Sequence, residues 1–419
     1  MSGPGVKRQP IRYRLALLCV GLCLALPASA LAPLQLFVDL TPAGKTLRPP
    51  PGIYAGPVTI DKPIVIDGGG EVTVDGEGQG TVITVRADGA VLRGLHLTGS
   101  GSSYDAMDAG VKIGADDVVL EGNRIDDVLF GVDIAQGNGN VVRDNEIVSK
   151  PFAPSLRGEG VRIWYGHDNL IENNRIHQVR DLLLTNATGN HIVGNDLRDN
   201  RISMEFIFSP DNEIRGNHLS HNDTGIVAIY SDGLTIADNR IEDIGNVGSS
   251  ALAIKESSQV HITHNAIVHN ATGLTANSPI FPENILYLEG NSFSYNSVAM
   301  YFYGEKGGHV VHDNRFLENL TDIAVSHESS ARSNDWQGNW WDCYEGFDRD
   351  RDGYGDTPYR LQNYADRIWM DRPAAQFFRG TPVMGLIDFI ERLAPFSTPG
   401  EILSDSRPRM GRGTAPEPK

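Results

Sequence analysis

Cysteine is scarce in this chain: three in 419 residues, and two of them, Cys19 and Cys23, fall within the first thirty. Only Cys343 remains beyond that segment, so no internal disulfide can hold the rest of the chain. Basic residues are outnumbered, 36 Lys and Arg against 53 Asp and Glu, a formal net charge of −17. With no basic stripe among them, nucleic-acid binding is excluded, and the acidity favours cationic partners or ions. Apolar runs stop early. Leu15–Leu26 is the longest, and no later stretch is long enough to span a bilayer. Helical periodicity is missing until the C-terminus, which removes the helical fold classes.

The early run reads as an export signal over residues 1–30. Lys7, Arg8, Arg12 and Arg14 precede it, and Ala28, Ser29 and Ala30 offer small residues for cleavage. No Arg-Arg pair marks the twin-arginine route, and neither cysteine follows a lipoprotein-type cleavage site. The mature chain is therefore expected outside the cytoplasm, in the periplasm.

What is present is a repeat. An apolar residue, two variable residues, Asn, one variable residue and another apolar residue recur along the chain. Leu120, Asn123 and Ile125 form one instance, Val142, Asn145 and Ile147 the next, and Ile171, Asn174 and Ile176 a third. The phrase continues through Asn195, Asn217, Asn239, Asn265, Asn291, Asn314 and Asn339. A spacing of roughly 21–29 residues with strand-like alternation signals a solenoid. The expected fold is all-β: a right-handed parallel β-helix of about ten or more coils over residues 31–335. Each Asn should sit at a turn, where it tolerates the left-handed backbone, and bond to its counterpart one coil on. None of them is expected to be catalytic.

The 46 Gly and 23 Pro punctuate many short strands. Leu36–Val38 is expected to open the fold as a first strand. Ser100–Asp108 and the Lys150–Pro154 stretch read as protruding loops, the places where a solenoid carries partner contacts. The repeat closes on Trp336, Trp340, Trp341 and Tyr344. This aromatic cluster is either a plug for the open end of the bore or a sugar-stacking platform.

Residues 336–365 also contain an acidic loop. Asp348, Asp350 and Asp352 stand at positions one, three and five, Gly353 at six, Tyr354 at seven and Asp356 at nine. This is the first part of a calcium loop, with the Tyr354 carbonyl as the seventh-position ligand. The usual Glu at position twelve is replaced by Tyr359, and no helix is expected on either side. Either calcium sits here or the loop is an ion-free acidic turn; both readings are structural. Residues 366–398 read as a helical tail: Pro373–Phe378, then a helix in which Val383, Leu386, Ile387, Ile390 and Leu393 fall at helical spacing. That helix either packs on the rod or docks a partner. Residues 399–419 are expected to be disordered.

Catalytic signatures are thin. The 12 His are scattered. His261 with His264, and His309 with His312, are three apart and point to opposite faces of an extended strand. Asp116-Asp117 and Asp126-Asp127 are neighbours that likewise face apart. Neither the paired acids of polygalacturonase-type β-helices nor the Asp-Pro-His-Asp of alginate epimerases is present. Carboxylates meeting between coils remain open to a carbohydrate-active or carbohydrate-binding reading.

From Arg48 to about Met410 the chain resembles the NosD family. The resemblance rests on Pro51–Tyr54, Ala106–Val111, Gly338–Tyr344, Phe347–Tyr359, Pro382–Pro395 and the closing Ser406–Met410. It implies a non-enzymatic periplasmic accessory protein. Such proteins act with an ABC permease and ATPase, and with a copper chaperone, in copper-site assembly of nitrous oxide reductase or a related client. It brings copper without bringing ligands. Many members carry His-Tyr-Met-Phe where this chain has Glu205, Phe206, Ile207 and Phe208.

Overall fold

The computed structural model describes residues 31–246, 248–277, 285–304, 308–326, 331–363, 381–393 and 400–411. The segment expected to be an export signal, and Pro373–Phe378, lie outside them.

Three inward-pointing rows of apolar side chains build a right-handed parallel β-helix of about 13 turns. On the first face, Leu120, Val142, Ile171, Ile192, Ile214 and Ile236 pair coil by coil. On the second, Ile125, Ile147, Ile176, Leu197, Leu219 and Ile241 do the same. The third face is a sheet of 12 parallel strands, whose inner row includes Val132, Val161, Leu182, Met204 and Ile226. All of these are buried. Strand alternation is what produces the rows: every second residue faces the bore, and parallel register stacks like on like.

The repeated Asn form a ladder along one corner. From Asn123 to Asn339 each Nδ2 donates to the next Oδ1 in the series, at 2.9–3.1 Å. Each Oδ1 also takes a backbone N–H from the coil before, as Asn145 does from Asn123 at 2.9 Å. The expected left-handed backbone is displaced by one residue. It belongs to the residue before each Asn, such as Gly122 (φ 61°), Asp144 (φ 57°) and Gly194 (φ 67°). The Asn itself is buried and spends its amide on the neighbouring coil. Two further corners carry shorter ladders, one through Asn140, Asn169, Asn190 and Asn212. The other joins Asn270, Asn296 and Asn319.

Both ends of the bore are closed. At the start, Gln35–Leu40 is a helix, which corrects the expected strand at Leu36–Val38. Leu34 and Val38, one helical turn apart, are buried in the core while Leu36 and Leu40 stay exposed, so helical rather than alternating spacing seals the opening. At the far end the aliphatic rows finish in aromatics. Val311 is followed by Trp336, and Phe316 by Trp341. Phe316, Trp341 and Tyr359 stack with centroid separations of 4.2 and 4.6 Å.

The chain then returns. Gly400–Asp405 is a strand, antiparallel to Tyr359–Asn363, where disorder was expected. Its Ile402 and Leu403 are buried and Asp405 is fully buried, so this strand has core to join. Between the two strands, Pro382–Leu393 is a helix.

Candidate functional site

The acidic loop follows directly on the closed end. Asp348, Asp350 and Asp352 each offer a carboxylate oxygen within 4.8 Å of the others. The turn that gathers them has Arg351 at φ 62° and Gly353 at φ 89°. Asp348 accepts N–H bonds from Asp352 (3.1 Å) and Gly353 (3.0 Å), which tie the turn together. Asp356 stands outside this trio. Asp356 accepts the Arg349 N–H at 2.9 Å. Tyr354 is bridged to Arg409, and its ring lies under the Arg407 guanidinium, 3.9 Å from the centroid. Arg407 also donates to Asp352 Oδ2 at 2.8 Å and holds that carboxyl below its ordinary range. Hard oxygens on a tight turn fit calcium in kind, but Asp352 already has a cation.

A second convergence was missed in the sequence. Asp322, Asp342 and Cys343 approach within 4.8 Å, and the Cys343 sulfur lies 3.3 Å from the Tyr359 hydroxyl. Cys343 is exposed as a residue, yet its sulfur is desolvated against the aromatic stack, and that burial raises its pKa. The thiolate is thus disfavoured.

The third face carries a charged cluster on its outer side. Register puts Lys112, Asp133, Arg162, Leu183 and Glu205 in one outward row. Asp133 is fully buried and accepts from Arg162 at 2.7 Å. Asp181, also fully buried, accepts from Arg201 at 2.7 Å and Arg180 at 3.4 Å. Arg180 reaches on to Glu159. Burial raises the pKa of Glu159, Asp181 and Glu205, with the neighbouring arginines pulling the other way. Carboxylates from separate coils therefore do meet. Strand pairing brings them together across some twenty residues of sequence, which no local motif records. Each is covered and tied to arginine, the arrangement of an ion-pair network rather than of an accessible acid and base. The two protruding loops join close by, where the Tyr104 hydroxyl donates to the Leu156 carbonyl.

Most of the described histidines serve locally. His96, His191, His218, His269 and His312 each pair with a carboxylate. His261 stacks on Tyr287 at 4.6 Å. His309 is buried, accepting the Leu286 N–H at 3.1 Å and meeting the Asn277 carbonyl at 3.1 Å. Burial lowers its pKa to about 4, so it is neutral.

A family model described as "Periplasmic copper-binding protein (NosD)" matches residues 138–346. An ABC transporter binding protein NosD of Pseudomonas aeruginosa is 28% identical over 399 residues, covering 88% of each chain. Its namesake from Stutzerimonas stutzeri is 28% identical over 391 residues, covering 89% of this chain and 88% of the relative. The chain belongs to the NosD family. Among solved structures, an alginate lyase in complex with a trisaccharide is similar at a TM-score of 0.55. It is 14% identical and covers 73% of this chain and 81% of its own, so the likeness shows the β-helix fold alone.

Copper is a test of the donors present. It is held by imidazole, thiolate and thioether groups. Among the described residues, the two groups of three or more His, Cys, Asp or Glu that converge contain no His. Met204 and Met300 face the core. At the position where many NosD proteins have His and Met, Glu205 and Ile207 both face outward, and neither is a soft ligand. Among the described residues these donors do not make a copper site. The NosD family is periplasmic by description, and no helix among the described residues is long and apolar enough to cross a membrane.

Proposed function

We propose that this NosD chain is a docking protein rather than a catalyst. It acts with an ABC permease and its ATPase in the periplasm, supporting copper-site assembly of nitrous oxide reductase or a related client with the help of a copper chaperone. One observation carries the reading: similarity extends over 88% of relatives that are named as ABC transporter binding proteins. The rod supports it in kind. It offers long faces and closed ends, the acids of its third-face cluster are buried in ion pairs, and most of its described histidines are paired. In this reading copper passes between partners while the chain holds them, and the acidic loop at Asp348, Asp350 and Asp352 takes a calcium ion that stiffens the closed end.

Co-purification of the tagged full-length chain with the permease–ATPase complex tests the docking role. A strain lacking the chain should accumulate copper-deficient nitrous oxide reductase; normal copper content there would remove that client from the reading.

The carbohydrate-active reading has one observation of its own, the raised pKa values of Glu159, Asp181 and Glu205. The purified protein should release no unsaturated or reducing ends from polyuronates. Turnover abolished by Glu159→Gln or Asp181→Asn would replace docking with catalysis.

A further inference from the structure

Beside the charged cluster, the third face carries outward apolar side chains; at one end of them Arg162 lies over the Trp164 ring, 5.8 Å from its centroid, and Tyr165 meets that ring edge to face at 4.9 Å. Trp164, Ile207 and Ile229 stand in one outward row, with Thr185 between the first two. The next residue of these coils is a corner in the left-handed conformation: Tyr165 at φ 53°, Phe208 at φ 50° and Tyr230 at φ 50°. Neighbouring coils fill the same corner with Gln136, Asn186 and Glu256. A bulky aromatic residue is costly in that conformation, whereas Asn tolerates it. Burial does not repay the cost, because Tyr165, Phe208 and Tyr230 are 53%, 53% and 51% exposed.

The ring geometry narrows the occupant. Phe208 and Tyr230 lie parallel, 5.3 Å apart with 4° between planes. Stacked across neighbouring coils, each ring covers one face of the other. A sugar ring stacks on an open aromatic face. Rings paired in this way and flanked by Ile207 and Ile229 suit the apolar side chains of a protein.

Charge narrows it further. The adjoining margin holds Asp168, which meets His167 at 2.9 Å, and Asp211 and Asp232, all exposed, the last two on successive coils joined by the Asp211 N–H to the Asp232 carbonyl at 2.8 Å; Lys255, which follows Ile229 in the row, is the cation beside them. The whole chain carries −17. An acidic margin repels a second copy of the chain, an anionic bilayer and a polyuronate alike, and attracts lysine and arginine. The geometry points to this aromatic strip as a docking face for a protein surface whose apolar side chains are bordered by basic residues. Resting on the docking reading above, the occupant is the periplasmic side of the ABC permease.

The test is binding of the purified full-length chain to the detergent-solubilised permease–ATPase complex. Phe208→Asn with Tyr230→Asn installs a residue that the backbone favours, so the melting temperature should hold or rise. Binding should weaken at least tenfold. Asp211→Asn with Asp232→Asn should flatten the salt dependence of binding and leave the core untouched. If the wild type binds and both double variants bind within threefold of it, with unchanged salt dependence, this face is not the contact and the docking role survives. If the wild type does not bind the complex at all, both inferences fall together.

Discussion

Asn339 hands the long amide ladder to a carboxylate: its Nδ2 and its N–H both donate to Asp405 Oδ2, at 3.0 and 3.1 Å. The Trp341 indole N–H donates to the same oxygen at 3.1 Å. A ladder of amides leaves its last member with unmet donors, and a buried carboxylate is the group that can take three at once. Asp405 is itself satisfied on its other oxygen by the Arg407 N–H at 3.0 Å. One residue thus ends the ladder, anchors the aromatic seal and fixes the returning strand.

Asp405→Ala should therefore cost about 3 kcal/mol or more, because it strands buried donors rather than merely deleting a bond. Urea melts followed by tryptophan fluorescence read this, since Trp336 and Trp341 lie at the affected end. Asp405→Asn, which keeps an acceptor oxygen, should lose much less. Equal midpoints for Asp405→Ala and wild type would show that the cap carries no stability.

His309 gives a pH dependence with a definite sign. Its pKa is about 4 in the folded chain against 6.5 for an ordinary imidazole. Between those values the unfolded chain binds a proton and the folded chain does not, so stability falls as pH drops from 6.5 toward 4. The full loss is about 3 kcal/mol. Unfolding at pH 7 and pH 4.5 should show most of it. His309→Gln, which still accepts from Leu286 and donates to Asn277, should flatten the difference; an unchanged slope would assign the pH dependence to other groups.

The coil repeat and the parallel β-helix were legible because period and alternation are local facts of the sequence. Two more ladders were legible too, since Asn169 and Asn174, or Asn195 and Asn200, stand five apart, but the longer repeat drew attention from them. The left-handed residue was placed on Asn123 and its equivalents because Asn tolerates that conformation. In the fold Gly122 and its equivalents take it, and the amide is needed elsewhere. Leu36 misled because a two-turn helix and a short strand can share the same few apolar letters. Asp405 was illegible in principle: its partner Asn339 is 66 residues away, and a polar tail gives no sign of burial. The Glu159–Arg180–Asp181 network is hidden for the same reason, being assembled by stacking rather than by spacing.

For the acidic loop, calcium at a hundredfold its dissociation constant should add about 2.7 kcal/mol of stability by linkage. Differential melting in chelator and in millimolar calcium measures it. Asp350→Asn should weaken the effect, since among the described residues Asp350 takes one hydrogen bond, from the Asp352 N–H at 3.3 Å, and is the carboxylate of the three most free to bind an ion. Coincident curves for the wild type would leave the Arg407–Asp352 pair as the loop's only cation.

The helix Pro382–Leu393 presents Val383, Leu386, Phe389 and Leu393 to solvent, an apolar surface on an acidic protein. As a docking element it should be dispensable for the rod, whose stability is mainly between neighbouring coils. Truncating the chain before Pro382 does not test this, because it also removes the strand Gly400–Asp405 and with it the cap on Asn339. Substitution inside the helix separates the two roles. Leu386→Ser with Phe389→Ser exchanges exposed apolar groups for polar ones and should leave the urea midpoint within about 0.5 kcal/mol of wild type. The variant should nevertheless fail to co-purify with the permease–ATPase complex, and its loss should be insensitive to salt because the contact is apolar, unlike a contact through Asp211 and Asp232. If the variant co-purifies normally, or if the rod loses stability, the helix belongs to the fold and not to the partner.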